Sequence, residues 1–208
     1  MGESDSVDSR ESMERAVAAL QEGLPVILPT DTVYGLAVAP RYADSPNQLF
    51  AIKERPQSKP VAWLVSGVED LDNFGVEVPA YARNLARRYW PGPLTIIVKA
   101  NCETVPAPFQ SEAGTIGLRM PDDDVTREII ERTRSPLATT SANLSGKEAP
   151  YRFADIDPAV RSRVPVALDD EQRKSGLPST VVDCTDAAPR ILRKGAVTAD
   201  QVNAAVSG

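Results

Sequence analysis

Histidine does not occur in this chain of 208 residues. That absence removes Ser-His-Asp and Cys-His nucleophile systems, and with them imidazole-ligated zinc. Cysteine is almost missing as well. Cys102 and Cys184 stand far apart, give no disulfide framework, agree with a reducing, cytoplasmic setting and are expected as buried, inert thiols. No apolar run approaches the ~18 residues needed to cross a bilayer, so no membrane association is expected. Cations are in deficit, since 23 Lys and Arg face 29 Asp and Glu for a formal net charge of −6. Unspecific capture of nucleic acid depends on a broad surplus of Lys and Arg, so only a local basic pocket or weak RNA binding stays open. The G-x-x-x-x-G-K-[ST] phosphate loop and the G-x-G-x-x-G fingerprint are both lacking. Chemistry here must rest on charge, hydroxyls, amides and carboxylates.

What is present suits one α/β domain, because a chain of this length buries most of its surface around one core. The polar, acidic opening MGESDSVDSRES is expected as a flexible tail over 1–11, and the domain as 12–208. Met13, Ala16, Val17 and Leu20 recur at helical spacing, and Gly23 closes that helix. A buried strand follows at 25–28. A helix over 46–54 must stop before Pro56, and 61–65 reads as a strand. The helix from Pro79 ends at Pro91. Strands are expected at 94–98, 115–119, 136–139, 164–168, 180–183 and 190–192. Asp122 or Asp123 caps a helix carrying Val125, Ile129 and Ile130, and Thr198 with Gln201 makes a capping box for a last short helix. Several strand connections are too short for a helical crossover, so the sheet should be mixed.

Five clusters could carry chemistry. Pro29-Thr-Asp-Thr-Val-Tyr-Gly-Leu36 follows a buried strand, where Thr30 and Asp31 either satisfy a turn or meet a ligand at the sheet edge. Lys53, Arg55 and Lys59 gather at a helix C-terminus, where cations complement the dipole or grip a polyphosphate. Thr139-Thr-Ser-Ala-Asn-Leu-Ser-Gly-Lys147 is rich in hydroxyls and amides that either turn the chain or wrap phosphate oxygens. Ser179-Thr180 and Arg190, Arg193 and Lys194 complete the set.

Read in order, PTDTVYGL, AIKERP, WPGPLT, IGLRMP, TTSANLSG, PSTVVD and ILRKGAV resemble the YrdC/TsaC family, the L-threonylcarbamoyladenylate synthases. The resemblance runs from about Leu20 to Val197. It implies a single YrdC-like domain, a twisted mixed β-sheet flanked by helices around a deep basic cavity. It also implies joining of L-threonine, bicarbonate and ATP into threonylcarbamoyl-AMP and pyrophosphate, for threonylcarbamoyladenosine modification of tRNA. Mg²⁺ would ride on the ATP phosphates, with no protein metal site. By the same resemblance Lys53, Arg55, Ser141 and Asn143 match the K-x-R and S-x-N signature at the triphosphate. Lys59, Thr115 and Arg193 fall near ATP, and Thr32, Arg119, Thr139 and Ser179 hold threonine. Replacing Lys53 or Arg55 by Ala is then expected to impair turnover and leave the fold intact.

The chain departs from the family where Leu64 and Asp123 stand at positions many members give to histidine. Longer relatives carry a C-terminal domain over the site, so closure here is expected from a loop or a partner protein, and a tRNA-modifying transferase complex is a separate expected partner. Two other readings are a YrdC-like RNA- or nucleotide-binding protein without synthase activity, and a carbamoyl-transfer enzyme, which the chain length disfavours.

Overall fold

Nothing between Ser4 and Gln21 breaks a helix, and α1 spans Glu3–Gln21, beginning inside the segment expected as a tail. The computed structural model describes residues 3–54 and 60–206, with the backbone alone for 3–9. Gly23 follows with φ +73°, where an added Cβ would strike the Tyr42 carbonyl. The chain then runs β1 (Val26–Leu28), β2 (Gly35–Val38), α2 (Asn47–Lys53), β3 (Ala62–Leu64), α3 (Asp70–Phe74), β4 (Gly75–Val76), α4 (Ala80–Tyr89) and β5 (Leu94–Ala100). It continues through β6 (Thr115–Arg119), α5 (Asp124–Thr133), β7 (Leu137–Ser141), α6 (Pro158–Arg161), β8 (Val166–Ala167), β9 (Thr180–Asp183), β10 (Arg190–Arg193) and α7 (Ala199–Val206).

The strands form one sheet in the order β10-β9-β5-β6-β3-β7-β2-β1-β8, with β4 added beside β5. It is mixed, as the short connections require. β1/β8, β3/β6 and β5/β9 are parallel, while β1/β2, β2/β7, β3/β7 and β5/β6 are antiparallel. The helix ends follow from local chemistry. Asp123 caps α5 by accepting from the Thr126 N–H at 2.9 Å, and the Thr198–Gln201 capping box forms with both of its bonds.

Because side chains alternate across a strand, each strand feeds two layers. Leu36, Val38, Trp63, Val65, Ile96, Val98, Ile116, Leu118 and Val182 point to one face and pack with residues of α2, α3, α4 and α7. Trp63 is its largest fully buried side chain and meets Phe74 and Phe109 edge-on. On the opposite face, α1 and α5 cover Val26, Leu28, Ala37, Leu64 and Leu137, making a smaller second core. The rest of that face, over β9, β5, β6, β3 and β7, carries no helix from this second core. Both cysteines were expected to be buried. Cys184 is, but Cys102 is exposed, because it lies just past the end of β5 in a surface turn.

Candidate functional site

Alternation along β6 places Thr115, Gly117 and Arg119 on the uncovered face, and the same rule places Thr95 and Ile97 of β5 beside them. With Ala62 of β3, Thr139 and Ser141 of β7, Gly35 of β2 and Val181 of β9, they line a cavity of about 360 Å³. Thr30, Thr32, Thr140, Pro178, Ser179 and Arg193 also line it. Small residues make the floor. A Cβ at Gly117 would come within 3.3 Å of the Thr95 methyl, and one at Gly35 within 2.9 Å of the Thr139 methyl. The lining mixes hydroxyls with apolar side chains such as Val61, Leu64, Ile97 and Val181, and among the described residues Arg119 and Arg193 supply its charge.

Arg119 is held by two separate segments. Its Nε donates to the Gly92 carbonyl at 3.1 Å, Nη1 donates to Thr32 Oγ1 at 2.9 Å, and Nη2 pairs with the Asp31 carboxylate. The side chain is buried, 8% exposed against 17% for Asp31. Burial lowers its pKa and Asp31 opposes that shift, while nearby Arg193 adds to it. A guanidinium carries five N–H groups, so these three bonds leave two for a carboxylate or phosphate. Two cations sharing one cavity repel each other, and an anion between them relieves that strain. Thr30 has a different task. Its hydroxyl donates to the Val33 carbonyl at 2.6 Å and accepts from the Thr32 and Val33 amides. In this motif, then, Thr30 shapes the turn while Thr32 and Asp31 orient the arginine.

The far wall is a chain of hydroxyls. Ser179 Oγ shares a hydrogen bond with Thr95 Oγ1 and accepts from Arg193 Nη2, each at 2.9 Å, while Arg193 Nε donates to the Ser179 carbonyl at 3.0 Å. Gly195 makes this approach feasible, since a Cβ there would strike the Pro178 carbonyl and the Thr180 amide. Thr115 shares a hydrogen bond with Ser111 at 2.7 Å.

Lys53 does meet Ser141 and Asn143, in a form the sequence did not suggest. Only 2% exposed, it donates its ammonium to the Ser141 carbonyl, to the Asn143 carbonyl at 2.5 Å and to Asn143 Oδ1 at 3.2 Å. Asn143 Nδ2 in turn donates to the Leu144 and Lys147 carbonyls. Lys53 therefore braces the end of α2 against the loop that follows β7, and neither Lys53 nor Asn143 lines the cavity. Arg55 and Lys59 lie outside the described residues. Of the other residues singled out from sequence, Thr32, Thr115, Arg119, Thr139, Ser141, Ser179 and Arg193 all line it. Sequence leaves Asp31 between turn chemistry and ligand contact, and Thr95 and Gly117 become visible only once the period-2 faces of β5 and β6 are aligned. Among the described residues, no three His, Cys, Asp or Glu side chains gather as a metal-binding set.

Known proteins share this arrangement of the chain. The threonylcarbamoyl-AMP synthase of Bacillus subtilis (strain 168) is 31% identical over 92% of this chain and 56% of its own length. The putative threonylcarbamoyl-AMP synthase of Mycobacterium tuberculosis (strain H37Rv) is 33% identical over 90% of this chain and 85% of its own. The crystal structure of Pyrococcus abyssi Sua5 complexed with L-threonine superposes with a TM-score of 0.87 at 30% identity, covering 93% of this chain and 56% of that one. The chain thus spans little more than half the length of the Bacillus and Pyrococcus relatives. The Sua5_yciO_yrdC family, described as Telomere recombination, matches residues 18–195. That match spans every strand of the sheet, and this chain belongs to the Sua5/YciO/YrdC family.

Proposed function

We propose that this chain is an L-threonylcarbamoyladenylate synthase, converting L-threonine, bicarbonate and ATP into threonylcarbamoyl-AMP and pyrophosphate. The observation that carries the reading is the pair Arg119 and Arg193, set among hydroxyls from separate strands in a single cavity. Synthase-named relatives at about this identity support it, and they do not favour the reading as a binding protein without turnover.

The chemistry asks little acid–base work of the protein. The threonine amine attacks bicarbonate to give a carbamate and water. A carbamate oxygen then attacks the α-phosphorus, the bond to the bridging oxygen breaks, and pyrophosphate departs. Alignment and charge neutralisation are the main demands, and they need no histidine. Arg119, oriented by Asp31, Thr32 and Gly92, would grip the threonine carboxylate as a charge-assisted pair, with Thr139 and Ser179 beside it. Ser141, Thr115 and Arg193 would face ATP, joined by Arg55 and Lys59. Lys53 and Asn143 would act by fixing the loop that presents Ser141. Among the described residues the cavity lining has no carboxylate, and Mg²⁺ would arrive on the ATP phosphates.

The product is a mixed anhydride, so the next reaction must transfer the threonylcarbamoyl group to a nucleophile. A tRNA adenosine in a transferase complex fits, and a cytoplasmic location follows from that partner. Among the described residues, no helix is long and apolar enough to cross a membrane. The test is pyrophosphate release with each substrate withheld in turn, with mass analysis of the product. The expected result is release only with all three present, and a threonylcarbamoyl-AMP mass. Folded protein that stays silent in this assay would overturn the reading.

A further inference from the structure

Between β8 and the cavity wall, the chain crosses the surface as a strap. Of residues 171–178, Lys174 alone is buried. Its ammonium pairs with Asp170 and with Asp123, the latter at 3.4 Å, and lies 5.7 Å from the centre of the Tyr34 ring. The Tyr34 hydroxyl donates toward Asp170 at 2.9 Å and Asp169 at 3.2 Å. Burial, reinforced by those carboxylates, raises the Tyr34 pKa far above its ordinary range, so the phenol serves as a neutral donor. Four segments thus converge on one buried cation: the loop entering β2 through Tyr34, the α5 N-cap through Asp123, the turn after β8, and the strap itself. A buried ammonium is costly unless its partners are in place, so the cluster favours one position of the strap over all others.

Backbone bonds carry that position to the cavity. The Lys174 N–H donates to the Tyr151 carbonyl at 2.9 Å, Ser175 N–H to the Asp31 carbonyl at 3.2 Å, and Gly176 N–H to the Thr32 carbonyl at 3.0 Å. Gly176 sits at φ +74°, the left-handed conformation that turns the strap toward the wall. Two residues later, Pro178 and Ser179 line the cavity. Asp31 and Thr32 hold the Arg119 fork, and Ser179 holds Arg193. Lys174 does not line the cavity, yet the Arg119 fork is held by Asp31 and Thr32, the two residues that its strap bonds directly.

We propose that Lys174 is a positioning residue for the amino-acid side of the cavity, clamping strap 171–178 onto Asp31 and Thr32 through Asp170 and Asp123. The ligand named in its test rests on the synthase reading, so the test has an arm that does not. Lys174→Met, Lys174→Arg and Asp170→Asn are compared with the wild-type chain by steady-state kinetics and by hydrogen exchange of the peptide spanning 171–178. The expected result for Lys174→Met is a rise of about tenfold in KM for threonine, with KM for ATP changed by less than about twofold. Exchange should quicken in 171–178 and in the Asp31–Thr32 segment while α4 and β5 keep their protection, and Lys174→Arg should restore most of both effects. Should Lys174→Met fail to fold, Asp170→Asn carries the same expectation. Equal losses for threonine and ATP, deprotection across the whole sheet, or an unchanged strap would each overturn the proposal. If the wild type shows no threonine-dependent turnover, the synthase reading fails by itself. Selective deprotection of 171–178 would then still uphold the clamp, and its absence would overturn the clamp too.

Discussion

At the scale of single residues, the cavity shows how one motif divides its labour. Thr30 and Thr32 look equivalent in sequence, yet the first closes a turn and the second meets Arg119. Replacing Arg119 by Lys keeps the charge and loses the planar fork, so threonine-dependent turnover should fall by ~100-fold or more. Steady-state kinetics check this, with a stability measurement to show that the fold survives. Lys53→Ala calls for a revised expectation. The sequence suggested a phosphate contact removable at no cost to the fold, whereas the ammonium satisfies carbonyls of Ser141 and Asn143. Removing it should therefore cost about 1–3 kcal/mol in denaturant unfolding, in addition to any loss of turnover. The cysteines differ in the same physical way. Burial, with Asp183 nearby, pushes the Cys184 thiol up to about 12, so at pH 8 an alkylating reagent should modify Cys102 alone until the protein is unfolded. The sign of the linkage follows. The thiol favours the folded state fully below its unfolded value of ~8.5, and that contribution is lost as pH rises toward the folded value of about 12.

At the scale of elements, short-range chemistry was the legible part. The helix stops at Gly23 and before Pro91, the Asp123 cap and the Thr198–Gln201 box all depend on neighbours within a few residues, and all of them form. Four elements escaped: β2, α3, β4 and α6. β2 (Gly35–Val38) is fully buried and apolar without alternation, so it merged into the loop after β1. α3 is only five residues long and has too few turns to show a period. Resemblance located Thr115 and Arg119. That Gly117 forms the floor between them emerged only from the pairing of β6 with β5 and β3. Gly195 is the element-scale test. Its backbone lies against the Pro178 carbonyl, so Gly195→Ala should destabilise the chain by about 1–3 kcal/mol and displace Arg193 from Ser179. Denaturant unfolding reads the first effect, and a raised KM for ATP reads the second.

At the scale of the whole molecule, one sheet is asked to serve three neighbours. Its first face is packed throughout, while on its second α1 and α5 cover only one side and the cavity occupies the other. A mixed sheet could be inferred from connection lengths, because a short link cannot cross over. Strand order could not, since β9 beside β5 and β8 beside β1 join segments distant in sequence, and nothing local specifies such pairs. The same long-range pairing brings Arg119 and Arg193 into one cavity, which is the central claim. Its most direct test is a crystal structure of the chain soaked with L-threonine and ATP. The account predicts the threonine carboxylate on Arg119, beside Thr32 and Ser179, with the ATP α-phosphate facing its amine. Threonine bound away from Arg119, or the two ligands in separate pockets, would contradict it.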